Sequence, residues 1–292
     1  MVNNRSIFFY NRMMDMEMGK EKRKQILLTN DDGIDSPGLW AAAQALSRLG
    51  FVTVAAPREQ ESASGRSMPN DSDGRITVRS MQIGSQDWSV HSVGGTPAQV
   101  VQHAIMEIMP QKPDLVVSGI NYGENLGNSI TVSGTVGAAL EGADFGIPAI
   151  ASSLELLNID EYRSNSALID FSAAAHFTYC LAKWMLEQGL PKGIDLFKLD
   201  VPHDATPETP WRITRLGQHR YYLPILERQG SWEEPAVISG QPLNQFEVLS
   251  KDSDIYTVKH DRMVAITPLT LDMTARVSFP KLAEKFKSKV IC

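Results

Sequence analysis

Asp31 and Asp32 stand side by side in the segment TNDDG, residues 29–33, directly behind the aliphatic run of residues 26–28. Adjacent carboxylates repel each other, and a hard divalent cation with oxygen ligands offsets that repulsion directly. The same residue types also build an ordinary turn, because Asp and Gly favour turns for backbone reasons alone. Two further polar loops follow apolar runs: PREQESASG after FVTVAA, and GINYGENLGNSITVSGT after DLVVS. Asn121 in the latter could set its carbonyl oxygen beside the same cation, or serve as a turn residue. Ser133, Gly134 and Thr135 open a stretch rich in Gly and Ala, so free backbone N–H groups at a helix start could receive an anion. Ordinary N-capping by Ser133 or Thr135 accounts for the same residues.

Other chemistries lack their usual patterns. There is no GxxxxGK[ST] loop, no GxGxxG, no GxSxG around Ser133 and no DxDxT strand end. His91, His103 and His176 lie in strand or helix patterns without metal-ligand spacing and read as packing or surface residues. The two cysteines, Cys180 and Cys292, form no metal or redox motif and suit a reducing compartment, so a cytoplasmic protein is expected. A net charge of -6 has the wrong sign for nonspecific attraction to nucleic acid or anionic lipid. No apolar run approaches the roughly 18 residues that a membrane span needs. Neither a membrane nor a stable nucleic-acid partner is expected. Residues 1–24 are basic, and their apolar part, SIFFY, is too short for a signal-peptide core; they read as a floppy extension, with Met16 or Met18 as alternative starts.

These candidate residues need a scaffold, and the rest of the chain supplies the pattern of one. From Ile26 onward, short apolar runs alternate with helical periodicity, the signature of βαβ units on a mostly parallel sheet in an α/β fold. Residues 26–28 predict the first strand. Ser36 as N-cap, Pro37 at the first helical position, then Leu39, Ala43 and Leu46 predict a helix closed by Gly50. Strands are expected over 51–56, 114–120, 196–202 and 263–269, with ITVRSMQI and WSVHSV as an antiparallel pair. Thr96 with Pro97 starts another helix, GTVGAALEGADFG a close-packed one before the strand IPAIASS, and residues 166–189 a long one. Residues 25–292 form a single domain in this reading, with roughly 203–262, rich in Pro and carrying Trp211, Tyr221, Tyr222 and Trp232, as an extended arm for self-association before a basic C-terminal helix. Ligands of such sheets gather at the carboxyl ends of the strands, where the three polar loops converge.

Taken together, several segments resemble the SurE family of 5'/3'-nucleotidases. ILLTNDDGIDSPGL is similar to the family's N-terminal signature, GGTPAQVVQHAI to its GTPADCV segment, and PDLVVSGINYGENLG, SGTVGAALEG and GIPAIASS to its central block. LDVP, ITRLG and ITPLTLDMT resemble later landmarks, so the likeness spans roughly residues 25–275. It implies a Rossmann-like core with a C-terminal β arm that forms dimers or tetramers, and hydrolysis of nucleoside 5'-monophosphates, with 3'-monophosphates as further substrates, using Mg or Mn. By the same resemblance Asp31, Asp32, Ser62 and Asn121 would hold the metal, with Asp31 and Asp32 catalytic, and Asn125, Ser133, Gly134 and Thr135 would line the phosphate site. The second loop departs from the family's APDREQSGAS: Ser62 keeps the offset from proline but is followed by Ala63, which leaves Ser64 as an alternative. Asp200 stands where the family usually has asparagine, and VKHDRMVAITPL lacks a glycine common before that strand. A non-catalytic nucleotide or phosphate sensor on the same scaffold is the other reading.

Overall fold

The computed structural model describes residues 23–83, 86–157, 169–242 and 249–289. The expected extension, residues 1–24, falls outside them except for its last two positions. The first strand, β1 (Lys24–Thr29), buries Ile26 and Leu28 on one face of the sheet and Leu27 on the other. That is what an uninterrupted aliphatic run allows and a half-exposed strand does not.

The chain continues through α1 (Pro37–Leu46), β2 (Gly50–Pro57), β3 (Ile76–Ile83), β4 (Gln86–Val93) and α2 (Pro97–His103), which runs on as one wide π-helical turn to Ile108. β5 (Leu115–Tyr122), α3 (Gly134–Asp144), β6 (Ala149–Leu154), α4 (Ser172–Gln188) and β7 (Leu196–Val201) follow. The last third holds β8 (Trp211–Ile213), β9 (Tyr222–Leu226), β10 (Ile238–Pro242), α5 (Asp254–Lys259), β11 (Val264–Leu269) and α6 (Phe279–Lys289). Nine strands form one sheet in the order β3-β4-β2-β1-β5-β6-β7-β11-β8. All neighbours in it run parallel except β3 with β4 and β7 with β11. α1 and α4 cover one face and α2 and α3 the other. The expected Rossmann-like, mostly parallel α/β architecture is what the chain adopts.

The helix starts follow local chemistry unequally. At α2 the Thr96 hydroxyl accepts from the Gln99 N–H while the Gln99 side chain accepts from the Thr96 N–H, a reciprocal capping box. Ser36 holds the N-cap position of α1, but its hydroxyl makes no capping bond and is buried without a partner, so Pro37 alone sets that start. α4 begins at Ser172, where Asp170 accepts from the first N–H; the expected start at 166 lies outside the described residues. Of residues 203–262, β8 joins the main sheet and α5 packs on β11 and β7, while β9 and β10 alone form a separate antiparallel hairpin.

An ion cluster ties that last third to the sheet. Glu155, immediately after β6, meets Lys259 of α5, Arg262 at 2.7 Å and the His203 N–H at 3.1 Å. Burial pushes its carboxyl up, but Arg262 and Lys259 outweigh it and hold the pKa at about 2, against an ordinary 4.5. A lowered folded-state pKa stabilises the protein above the unfolded value, and that stabilisation fades as pH falls from 4.5 towards 2. The shift corresponds to an effect on the order of 3 kcal/mol. In urea unfolding, Glu155→Gln is therefore expected to lie well below wild type in stability at pH 6 and to converge with it by about pH 2. A stability gap unchanged across that range would contradict this account.

Candidate active site

The first turn is built by its own backbone. Asn30, fully buried, donates from Nδ2 to the Gly33 carbonyl at 3.0 Å, and Gly33 takes a φ of +93°, a conformation that favours glycine. Asp31 and Asp32 sit between them. Their carboxylates are 6% and 7% exposed as residues, so both charges lie largely out of water.

Each carboxylate is fixed by a different neighbouring loop. The Thr135 hydroxyl donates to Asp31 Oδ1 at 2.6 Å. The Tyr122 N–H donates to Asp32 Oδ2 at 3.0 Å and Gln60 Nε2 to its Oδ1 at 3.3 Å. The loop after β2 is tied to the same turn: the Ile34 N–H donates to the Pro57 carbonyl at 2.9 Å, and the Glu61 N–H to the Asp31 carbonyl at 2.7 Å. Gly134 is where α3 meets Asp31. A Cβ there would stand 2.8 Å from the Asp31 Cβ and 2.9 Å from its Oδ2, closer than real contacts allow.

Asp31, Ser62, Asn125 and Ser133 from three separate loops, with Asn121 from the end of β5, line one cavity of about 610 Å³. The β5–β6 register shifts between Ser118 and Asn121, and such an irregularity re-aims the side chains beyond it. Asn121 Nδ2 donates to the Gly123 carbonyl at 2.7 Å, which leaves its carbonyl oxygen as the acceptor for the cavity. Asn125 Nδ2 donates to Ser153 Oγ at 2.9 Å, and Ser133 caps α3 by accepting from the Val136 N–H at 3.1 Å. Asp32, Gly134 and Thr135 form the wall behind these residues. The Thr135 hydroxyl is thereby engaged by Asp31 and does not line the cavity. Ser62 is exposed on the cavity side, whereas the Ser64 hydroxyl is buried towards Gly134 and lacks a partner. The opposite end of the cavity is apolar and aromatic, with Leu156, Tyr221, Tyr222, Ile225 and Pro242, and Lys259 at its edge.

Burial raises the pKa of Asp31 against the pull of the Thr135 hydroxyl, and burial followed by the Asp31 charge raises that of Asp32 further still. Among the described residues the other buried acids all have a cation: Glu141 has Arg66, Glu124 and Glu155 have Lys259, and Asp200 and Asp254 have Lys198. Neither Asp31 nor Asp32 is lowered by any lysine or arginine. Two buried carboxylates beside the neutral oxygens of Ser62 and Asn121 fit a hard cation such as Mg or Mn. Among the described residues no three His, Cys, Asp or Glu side chains cluster as metal ligands, so any such ion needs those neutral oxygens. The three histidines set aside from the sequence stay outside: His91 contacts the Val54 carbonyl, His103 Glu107 and His176 Cys180.

Some residues of the site escaped sequence reasoning. Gln60 and Tyr122 act through a side-chain amide and a backbone N–H that no motif singles out. Asp200 accepts from the Asn125 N–H at 2.8 Å, and its signal was legible: Lys198 and Asp200, two apart in an apolar strand, share one face.

The family model for survival protein SurE matches residues 26–223 of the chain. A protein named 5'-nucleotidase SurE from Thermococcus gammatolerans is 44% identical over 262 residues, covering 88% of this chain and 94% of that one. Proteins of the same name from Thermococcus kodakarensis and Methanocella arvoryzae are 43% and 40% identical, over 88% and 86% of this chain and 96% and 93% of their own lengths. The crystal structure of the SurE protein from Aquifex aeolicus superposes with a TM-score of 0.70 at 30% identity, covering 90% of this chain and 98% of that one.

Removing one of two repelling buried charges relieves the metal-free protein while weakening any metal site. In chelator at pH 7.5, Asp32→Asn is expected to melt higher than wild type, by about 2–4 °C if the relief is near 1 kcal/mol. Millimolar Mn should raise the melting temperature of wild type and leave that of the variant nearly unmoved. A variant that melts lower in chelator and still responds to Mn would contradict the electrostatic reading.

Proposed function

The chain belongs to the survival protein SurE family, and from that premise we propose that it is a metal-dependent phosphomonoesterase that converts nucleoside 5'-monophosphates, and 3'-monophosphates as further substrates, into nucleoside and phosphate. The observation that carries this reading is the uncompensated Asp31–Asp32 pair, of which Asp31 lines a cavity together with polar residues and with aromatic and apolar ones. A phosphate group belongs beside the carboxylates and a nucleoside against the aromatic and apolar lining.

In this reading Asp31, Asp32, Ser62 and Asn121 would hold a Mg or Mn ion. When bound there, a divalent cation polarises a phosphate oxygen and makes a water molecule more acidic. The chain's own residues do the positioning. Thr135 and the close approach of Gly134 fix the direction of Asp31, and the Tyr122 N–H and Gln60 fix that of Asp32. Ser133 and Asn125 face the phosphate from the α3 side and the β5 side, where positioned donors stabilise charge as it shifts in phosphoryl transfer. Water oxygen bonds to phosphorus, the ester P–O bond breaks, and the departing ribose oxygen takes up a proton. Tyr222, Leu156 and Pro242 offer the nucleoside aromatic and apolar surface, to which aromatic stacking suits any base.

Self-association is part of the same reading. The β9–β10 hairpin carries Leu223, Leu226 and Ile238 exposed, on an element that also walls the cavity through Ile225, Gly240 and Pro242. A homodimer or homotetramer joined through this arm would cover them. Among the described residues no helix is long and apolar enough to cross a membrane; with the reduced-cysteine usage, a cytoplasmic setting is the one proposed.

Phosphate release from AMP and GMP, with millimolar Mg or Mn and with excess EDTA, tests the function. Release is expected with metal and should fall by at least about 100-fold in chelator, the scale on which a metal stabilises a transferring group. Nucleotide binding without metal-dependent release would favour the sensor reading instead.

A further inference from the structure

Lys198 and Asp200 project from the same face of β7, and both are fully buried. The Lys198 ammonium pairs with Asp200 and also with Asp254 Oδ2 at 3.1 Å, so one buried cation serves two carboxylates. The carboxylates' other bonds go to backbone N–H groups. Asp200 Oδ1 accepts from Asn125 at 2.8 Å. Asp254 accepts from Gly127 at 3.1 Å, and from Gly217 and Ile255, each at 2.8 Å. Two of these four donors belong to the loop that carries Asn125 into the cavity.

Buried ion pairs contribute little net stability, because desolvation offsets their attraction. Their value lies in where they direct hydrogen bonds. A carboxylate can accept from Lys198 and from the Asn125 N–H at once. An asparagine in its place would have to turn its own NH₂ towards the ammonium to keep the second bond. We propose that Asp200, held in place by Lys198, is a positioning residue that sets the Asn125 loop against the phosphate end of the cavity. Asn125 is then fixed at both ends, its N–H by Asp200 and its side-chain amide by Ser153 Oγ. The charge-assisted bond to the backbone is the stronger of the two. The proposal rests on the phosphatase reading for its consequence in catalysis, but the positioning itself can be measured without turnover.

The test has a kinetic arm and an exchange arm. With AMP and Mn, Asp200→Ala should lower kcat about 10–100-fold with little change in KM, the loss expected when a donor is displaced by about an ångström. Asn125→Ala should add little in the Asp200→Ala background, because the two act as one unit. The Mn-induced rise in melting temperature should persist, which a general collapse of the site would abolish. Asp200→Ala leaves Lys198 to Asp254 alone and can lose the fold, so the decisive comparison is made in a background where Lys198→Met and Asp254→Asn remove the other two buried charges. In it Asp200→Asn retains an acceptor for the Asn125 N–H and should recover most of the activity; Asp200→Leu has none and should not. Hydrogen–deuterium exchange of the Asn125 amide should be slow in wild type and in the Asn variant, and fast in the Leu variant. Equal kcat in these two variants, multiplicative losses for Asp200→Ala and Asn125→Ala, or unchanged exchange would overturn the proposal. Wild type that releases no phosphate would overturn the phosphatase reading alone, with the exchange arm left to decide the positioning.

Discussion

Two carboxylates on consecutive residues, both nearly out of water, repel each other with no lysine or arginine among the described residues to oppose them. That unrelieved repulsion constrains everything around it. Neutral donors alone hold the pair: a hydroxyl from α3, a backbone N–H from β5 and an amide from the loop after β2. For those three to arrive together, β1 must lie between β2 and β5 with all three strands pointing the same way, as in the observed sheet. Parallel order is thus the condition under which one turn can be gripped from both sides at the carboxyl ends of the strands.

The contrast with the other buried acids sharpens the point. Glu155 carries two cations and a backbone donor, and its pKa falls to about 2. Asp200 shares Lys198 with Asp254, and burial still lifts it to about 6. Among the described residues, each other buried acid has its counter-charge. Asp31 and Asp32 have none among them, although Lys259 stands at the edge of the same cavity and is turned instead to Glu155 and Glu124. One adjacent pair of acids thus stands apart electrostatically from the other buried acids, and that contrast is what supports the metal reading.

Much of this was readable from the residues. The aliphatic run of β1, the Pro37 and Thr96 helix starts, the antiparallel β3–β4 pair and the convergence of three polar loops all follow from periodicity and turn chemistry, because local propensity and global packing agree there. The failures have physical causes too. Ser36 has the identity of a cap, but its hydroxyl is buried with no backbone N–H donating to it. Thr135 looked like a lining residue because it belongs to a helix start; its side chain points back to Asp31, a partner 104 positions away. Asp200 is legible only as a departure from the family's asparagine, because its partner, the Asn125 N–H, is a backbone atom of a loop 75 positions earlier. Spacing along the chain carries no trace of such contacts.

The start of α3 shows why one element can belong to two tasks at once. Backbone N–H groups of Gly134 and Thr135 favour the charged form of Asp31, opposing the burial that raises its pKa. The same helix start presents Ser133 to the cavity. The positive end of the helix therefore opposes the effect of burial on Asp31 and sets a polar edge beside the cavity. Both effects depend on a close approach that only glycine at 134 permits, since a side-chain carbon there would press on Asp31 itself. Moving α3 away to make room would release Asp31 and withdraw Ser133 from the cavity together, so the geometry ties the two to a single packing distance.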